Sequence, residues 1–431
     1  MVCAVFEMRS QLDALLARFK KSKDGKVLAS NFGYLMLLQI AGYVFPLITI
    51  PYLARVIGVD GFGKIAFAAA VIVWFQTVSD WGFNYTATRD VARNRDNLEK
   101  VSEIFSNVLW ARLLLMVVSF AVLFSLTEAI PYFKENQAIL LITFLLVPGH
   151  IMFPDWFFQA MERMKYITIF NLLSKAVFTA LVFVLIKEKQ DYILQPLLMS
   201  LGYIVCGIGA MYIILAKWKV KLYAPHWPSI KQTIIGSVDV FINNIVPNLY
   251  NSFSTVLLGF YGGSVANGLL DAGRKFVEIG QQFLTVISRV FFPFLSRYSA
   301  TGDKHSLYMK INLGVAVCGS AVLMMFAPLI IRLFFTPEFE EAITVLRVMS
   351  ISIVFMALTV IYGTNYLIII GQERKLRNIT LACSLLGLVS AFPLINLYGY
   401  FGAAINILGA RTILGLSVMW QAKKIIRQKT R

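Results

Sequence analysis

Asp271, Arg274, Lys275, Glu278, Gln281, Gln282, Thr285, Ser288 and Arg289 recur at steps of three or four within DAGRKFVEIGQQFLTVISR, residues 271–289. On a helix these positions share one face. The result is a polar stripe backed by Phe276, Val277, Phe283, Leu284, Val290 and Phe291. Arg274, Lys275 and Arg289 are suited to an anion, arginine by its forked donors and lysine as a point charge. Gln281 and Gln282 both donate and accept, which suits hydroxyl-rich ligands. Asp271–Lys275 and Arg274–Glu278 can also neutralise one another as i,i+4 pairs, but Arg289 and the Gln/Thr/Ser ladder are then left over. Each central charge facing lipid would cost about 2.5–3.5 kcal/mol, against only about 0.3–0.6 returned by an apolar residue. The stripe must therefore face a polar interior built by other helices.

Other charges lie inside apolar runs. Arg112, Lys175, Arg347 and Arg411 join the basic set, against Asp80, Asp155, Asp239, Asp271 and Glu278. Basic groups outnumber acidic ones, so the interior is expected to be net positive and to favour an anion. Arg112, Lys175, Arg274, Lys275, Arg289 and Arg411 are the candidate anion contacts, with structural pairing as the alternative for each; Arg347 can instead snorkel. Asn243, Asn244, Asn248, Asn251 and Thr255 form an expected amide face on another helix, interrupted by Pro247. From it, Asn244, Asn248 and Asn251, with Gln281 and Gln282, are the candidate sugar contacts, although small polar residues also pack helices together. Asp80 and Asp155 each precede a tryptophan, which marks the membrane interface; capping or pairing with Arg89 or Arg163 is expected there. Asp80, Asp239 and Glu278 are the candidates for binding a coupling ion or proton.

The elements that position these groups follow from composition. The chain has 431 residues, 58% hydrophobic and 15% charged, with mean hydropathy +0.70. A soluble chain of this size needs far more surface charge, so the fold class is an all-α polytopic membrane protein. Twelve spans are placed near 28–54, 64–87, 105–127, 138–159, 166–186, 193–216, 233–260, 266–292, 308–333, 342–369, 379–397 and 401–421. The formal charge of +17 is gathered in alternate loops (Arg89, Arg93, Arg95, Lys100; Lys217, Lys219, Lys221, Lys231; Arg374, Lys375, Arg377) and at both ends. This is the positive-inside pattern, not a nucleic-acid surface, and it sets both termini in the cytoplasm. Residues 1–26 read as an amphipathic segment on the inner leaflet rather than a signal peptide. Residues 217–232 form a basic linker between two six-helix lobes, 27–216 and 233–421, with a basic tail at 422–431. The lobes open alike, a long helix and then a glycine-bearing turn (58–63 and 259–268), so parallel repeats around a central cleft are expected. Cys3, Cys206, Cys318 and Cys383 and the three histidines are scattered, so neither disulfide, metal site nor cofactor is expected. His150 reads as packing or, less readily, a proton relay.

VFPLITIPYLARVIGVDGFGKIAFA (44–68), RDVARNR (89–95), PDWFFQAMERMKYIT (154–168) and GTNYLIIIGQERK (363–375) resemble the Wzx-type O-antigen and polysaccharide repeat-unit flippases. These are the polysaccharide branch of the multidrug/oligosaccharidyl-lipid/polysaccharide exporter superfamily. The resemblance implies an inner-membrane protein that moves an undecaprenyl-pyrophosphate-linked oligosaccharide between leaflets by alternating access through a cationic lumen. Lipid-linked glycan and membrane lipids are the implied partners, with the polymerase and chain-length regulator of the same pathway beside them and no nucleic acid. Related lipid II flippases carry arginines in the first two helices, where this chain has Thr49, Phe75 and Gln76. A cation antiporter of the same superfamily is the alternative, favoured by an acidic cavity. A membrane-embedded polymerase or ligase would need sizeable external loops, which the span spacing does not leave, so an enzyme is not expected.

Overall fold

The computed structural model describes residues 23–297 and 303–430. The amphipathic segment expected at 1–26 lies almost wholly outside them. Among the described residues every regular element is helical, and nine helices are long and apolar enough to cross a membrane. In chain order they comprise α1 (Lys23–Asp80), α2 (Phe83–Arg93), α3 (Leu98–Ala129), and the broken segment α4 (Gln137–Phe144), α5 (Leu146–Met152) and α6 (Asp155–Ala160). There follow α7 (Met164–Leu185), α8 (Leu194–Tyr212), α9 (Trp227–Ile235), α10 (Val238–Ile245), α11 (Ser252–Arg297) and α12 (Asp303–Phe334). The last are α13 (Ala342–Ser350), α14 (Ser352–Leu358), a π-helical segment Thr359–Ile368 and α15 (Glu373–Thr430).

Three of these helices are not rods. α1, α11 and α15 contain Gly58, Gly263 and Gly399 at φ 65°, 72° and 55°, a region that side-chain-bearing residues avoid. The chain folds back at each. Arg274 Nη1 reaches Thr255 Oγ1 at 3.1 Å within α11, and Asn406 Nδ2 reaches the Gly387 carbonyl at 3.0 Å within α15. Both pairs are 19 residues apart, which a straight helix would hold roughly 28 Å apart. In α1, Ile50 and Leu53 line the same cavity as Phe62 and Ile65. The glycine-bearing turns expected near 58–63 and 259–268 are therefore hairpins, and Gly58 and Gly263 mark one end of the bundle, here termed the hairpin end.

Apolar burial cannot distinguish a neighbouring helix from lipid, so contact between spans depends on close backbone approach. The two hairpin tips meet in this way: a Cβ on Gly63 would lie 1.7 Å from the Ser264 carbonyl oxygen, and one on Gly268 2.3 Å from that of Val59. Gly63→Val is expected to push the tips apart and lower the melting temperature of the detergent-purified protein by several degrees, whereas Gly314→Ala, where a Cβ meets nothing within 4 Å, should leave it unchanged. The main core joins Ile57 of α1 to Leu270 and Val277 of α11, Val345 of α13 and Ile407 of α15. A second, aromatic core gathers Phe83, Phe105, Trp156, Phe157 and Phe158. The outer surface stays apolar, with Val117, Val205, Leu329 and Val389 all largely exposed, as contact with lipid tails requires.

Candidate functional site

A cavity of about 330 Å³ lies between α1, α7, α8 and α11. Its polar wall is set by α11, where Asp271, Lys275, Glu278 and Gln282 follow one another at steps of three or four. Opposite, Asn171, Ser174 and Lys175 project from α7 and Gln195 and Tyr203 from α8, while Tyr43 and Thr49 come from α1. The remaining lining is apolar, including Phe45, Pro46, Phe178 and Met199.

Asp271, Arg274, Lys275 and Glu278 of α11 cancel among themselves. Arg274 bonds Asp271 at 2.9 Å and Glu278 at 3.1 Å, and Lys275 lies 3.2 Å from the second oxygen of Asp271. Both pairs anticipated from the sequence therefore form, and Arg274 gains a third contact to Thr255. Arg274 is held in the wall by its two carboxylates rather than lining the cavity. Lys175 is different: among the described residues no carboxylate lies within ion-pair distance of it, and its Nζ is 3.6 Å from where a Cβ on Gly42 would sit. Lys175 is thus the charged lining residue left without a counter-charge at ion-pair distance among the described residues.

Arg411 is a second basic group without an ion-pair partner among the described residues. It is buried, and its guanidinium donates to Ser352 Oγ at 3.0 Å and to Asn251 Oδ1 at 3.2 Å, with no carboxylate at ion-pair distance among the described residues. Neutral acceptors orient it without discharging it.

The other expected site residues lie elsewhere. Arg112 is buried in an ion pair with Asp80, away from the main cavity. The partner expected for Asp80, Arg89 or Arg163, is thus replaced: Arg89 pairs with its neighbour Asp90 at 2.9 Å, and packing of α3 on α1 brings Arg112 to Asp80 instead. Asp155 Oδ1 accepts from the Trp156 backbone N–H at 2.8 Å. Asp239 is 86% exposed and 3.7 Å from Arg377. The amide face expected from Asn243 to Thr255 is not continuous, because the chain leaves the helix between α10 and α11 around Pro247. Asn243 and Asn244 are exposed, Asn248 donates to Thr77 Oγ1 at 3.3 Å, and Asn251 serves Arg411. Gln281 is half-buried and only Gln282 of that pair lines the cavity. The side chain of Arg289 lies outside the described residues. His150 packs against Tyr203 with ring centroids 4.3 Å apart.

Tyr43, Asn171, Ser174 and Gln195 were not singled out from the sequence. A signal existed for one of them: Asn171 lies four residues before Lys175 in an apolar run, hence on the same helix face. Tyr43 lies mid-span and Gln195 near the start of its own, and only packing places them on the cavity.

The comparisons with known proteins agree with this architecture. The protein named "Putative O-antigen transporter" of Escherichia coli (strain K12) is 26% identical over 90% of this chain and 94% of its own. The "Succinoglycan biosynthesis transport protein ExoT" of Rhizobium meliloti (strain 1021) is 21% identical over 70% of this chain and 60% of its own. Among solved structures, the lipid II flippase MurJ in an inward closed conformation aligns with TM-score 0.72 and 16% identity over 90% of this chain and 87% of that one. An inward-facing multidrug resistance transporter of the MATE family of the MOP superfamily aligns with TM-score 0.68 and 14% identity, over 90% and 98%. These relatives are named transporters and flippases, not enzymes. Residues 28–299 match the family described as polysaccharide biosynthesis protein, and the chain, an all-helical membrane protein with the fold of the MOP superfamily, belongs to that family.

Proposed function

We propose that the protein is a flippase that carries an undecaprenyl-pyrophosphate-linked oligosaccharide repeat unit, of O-antigen or a related surface polysaccharide, from the cytoplasmic to the periplasmic leaflet. The observation that carries this reading is Lys175, a cation on the cavity wall with no carboxylate within ion-pair distance among the described residues, while Asp271, Lys275 and Glu278 of the same wall are engaged with one another and with Arg274. A diphosphate supplies the missing negative charge, and Lys275 and the field of Arg411 reinforce it. Asn171, Gln195, Gln282 and Tyr43 meet sugar hydroxyls, while the polyprenyl tail stays in lipid. A cation exporter would need free acids in the cavity, and Asp271 and Glu278 are already held by Arg274 and Lys275.

In this reading nine long helices, three of them hairpins, make twelve crossings in two lobes, 27–216 and 233–421, joined by the basic linker 217–232. The positive-inside distribution supports an inner-membrane protein with both termini in the cytoplasm, so the hairpin end faces the periplasm. The lobes rock to expose the cavity to either side. At about 330 Å³ the cavity is at the small end of ligand sites, roughly 300–1,000 Å³. Glu278 or Asp80 binds the coupling ion in exchange for its partner Arg274 or Arg112, and the pathway's polymerase and chain-length regulator are the downstream partners.

Deleting the protein tests the reading. The lipid-linked glycan should accumulate on the cytoplasmic leaflet, inaccessible to an external glycan-binding probe in intact spheroplasts. Accumulation on the outer leaflet would instead mark a step after translocation and overturn it.

A further inference from the structure

We infer that Glu338 is the latch of a gate at the hairpin end, a positioning residue that governs access to the cavity without touching cargo. This rests on the reading of the chain as an alternating-access transporter. Glu338 sits in the short connection between α12 and α13 and does not line the main cavity. Its Oε2 accepts from the backbone N–H of Val59 at 3.2 Å, at the tip of α1, and its Oε1 lies 3.7 Å from Lys189 Nζ in the connection between α7 and α8. One carboxylate thus ties together three segments, one from the second lobe and two from the first.

The tie is built into the turn. Gly58, at φ 65°, presents the adjoining Val59 N–H, and a Cβ there would lie 2.9 Å from Glu338 Oε2. Alongside, Ser264 Oγ at the α11 tip donates to Asp60, which also holds Lys64 at 2.8 Å. Beneath lies a plug of rings: Phe62, itself a cavity-lining residue, stands edge-on to Phe335 and Phe339 at 5.8 and 5.7 Å, and those two are 4.8 Å apart. All three rings are buried.

At the opposite end the lobes meet as well: the Trp81 and Phe241 rings stack 4.0 Å apart, and Thr86 Oγ1 lies 2.8 Å from Ser237 Oγ. Gln39 Nε2 donates to Tyr43 OH at 2.9 Å within α1 and to Gln282 Oε1 at 3.2 Å on α11. A neutral amide contact is weaker than the charge-assisted one at Glu338. Glu338 is 48% and Lys189 74% exposed, so water can take over their bonds when they part. Such a contact is stable enough to hold and cheap enough to release in every cycle.

Labelling tests the latch. In a chain with its cysteines replaced, Leu53→Cys, on the cavity wall, is exposed to a membrane-impermeant maleimide added from the hairpin side. Glu338→Ala should raise its labelling rate about tenfold, the effect of losing one charge-assisted bond. Glu338→Gln keeps an acceptor for the Val59 N–H and should fall between Ala and wild type, an order that general loosening would not produce. Ala391→Cys, fully buried in the main core, should stay unlabelled throughout. Should Glu338→Ala also expose Ala391→Cys, Lys189→Gln makes the same test through the other partner. Unchanged Leu53→Cys labelling in the folded variants overturns the latch. The measurement needs no cargo, so a mistaken cargo leaves it standing, and a failed latch leaves the test of cargo by leaflet untouched.

Discussion

Lys175→Met is expected to abolish transport while leaving the protein as stable as before, or more so. The two halves of this expectation have one cause. A buried ion that balances a carboxylate leaves an orphan charge when removed, but Lys175 balances none among the described residues. Deleting it removes a desolvated cation and strands nothing, so the melting temperature should hold or rise. The cargo, in contrast, loses the charge that replaces its hydration. Truncating one partner of a buried charged pair typically costs about 2–5 kcal/mol, so transfer of lipid-linked glycan in proteoliposomes should fall about thirtyfold or more. Lys175→Arg keeps the charge and should keep most of the activity. Lys175→Met with full transfer would remove the basis of the anion site. A drop in both stability and transfer would show instead that Lys175 has a structural partner.

Arg112→Ala is expected to do the opposite, damaging the fold first. Its guanidinium is buried, with 4% of the side chain exposed, and is bonded to Asp80, itself only 23% exposed. Removing the arginine leaves an unpaired carboxylate on α1 in low-dielectric surroundings, at a cost of about 3–5 kcal/mol. Membrane abundance and melting temperature should therefore fall sharply. The double variant Arg112→Ala/Asp80→Ala strands neither charge and should recover most of the loss, since replacing both members of a buried pair is often near neutral. If the double variant is no better than the single, the pair is not what stabilises this contact between α3 and α1. If it folds but does not transport, Asp80 also serves the transport cycle, in keeping with its candidacy for ion coupling.

These opposite expectations for two buried basic residues show where reading the sequence stopped. Both Arg112 and Lys175 lie inside apolar runs, and hydropathy assigns them the same role. Their difference lies in what packs against them: α3 brings Arg112 to Asp80, 32 residues earlier in the chain, while α7 turns Lys175 to a cavity. Local pairs fared better. Asp271–Lys275 and Arg274–Glu278 are set by the helical repeat alone, and both form. The expected amide face failed for a similarly local reason. Helical spacing from Asn243 to Thr255 presumes an unbroken helix, and the chain breaks near Pro247, which lacks the N–H a helix interior needs.

What the sequence alone determined about this protein is its medium and the inward direction of its charges. A chain 58% hydrophobic with ionised groups inside its spans has lipid outside and polar faces within, because the bilayer penalises any other arrangement. The glycine turns at 58–63 and 259–268 were legible too, since few other residues accept such backbone angles. The tertiary structure decided which charges are spent on one another and which stay available. Ion pairing depends on distances of a few ångströms between helices far apart in the chain, and no periodicity within one helix encodes them. The same packing brought Tyr43, Asn171 and Gln195 to one cavity and seated Glu338 on the backbone of Val59.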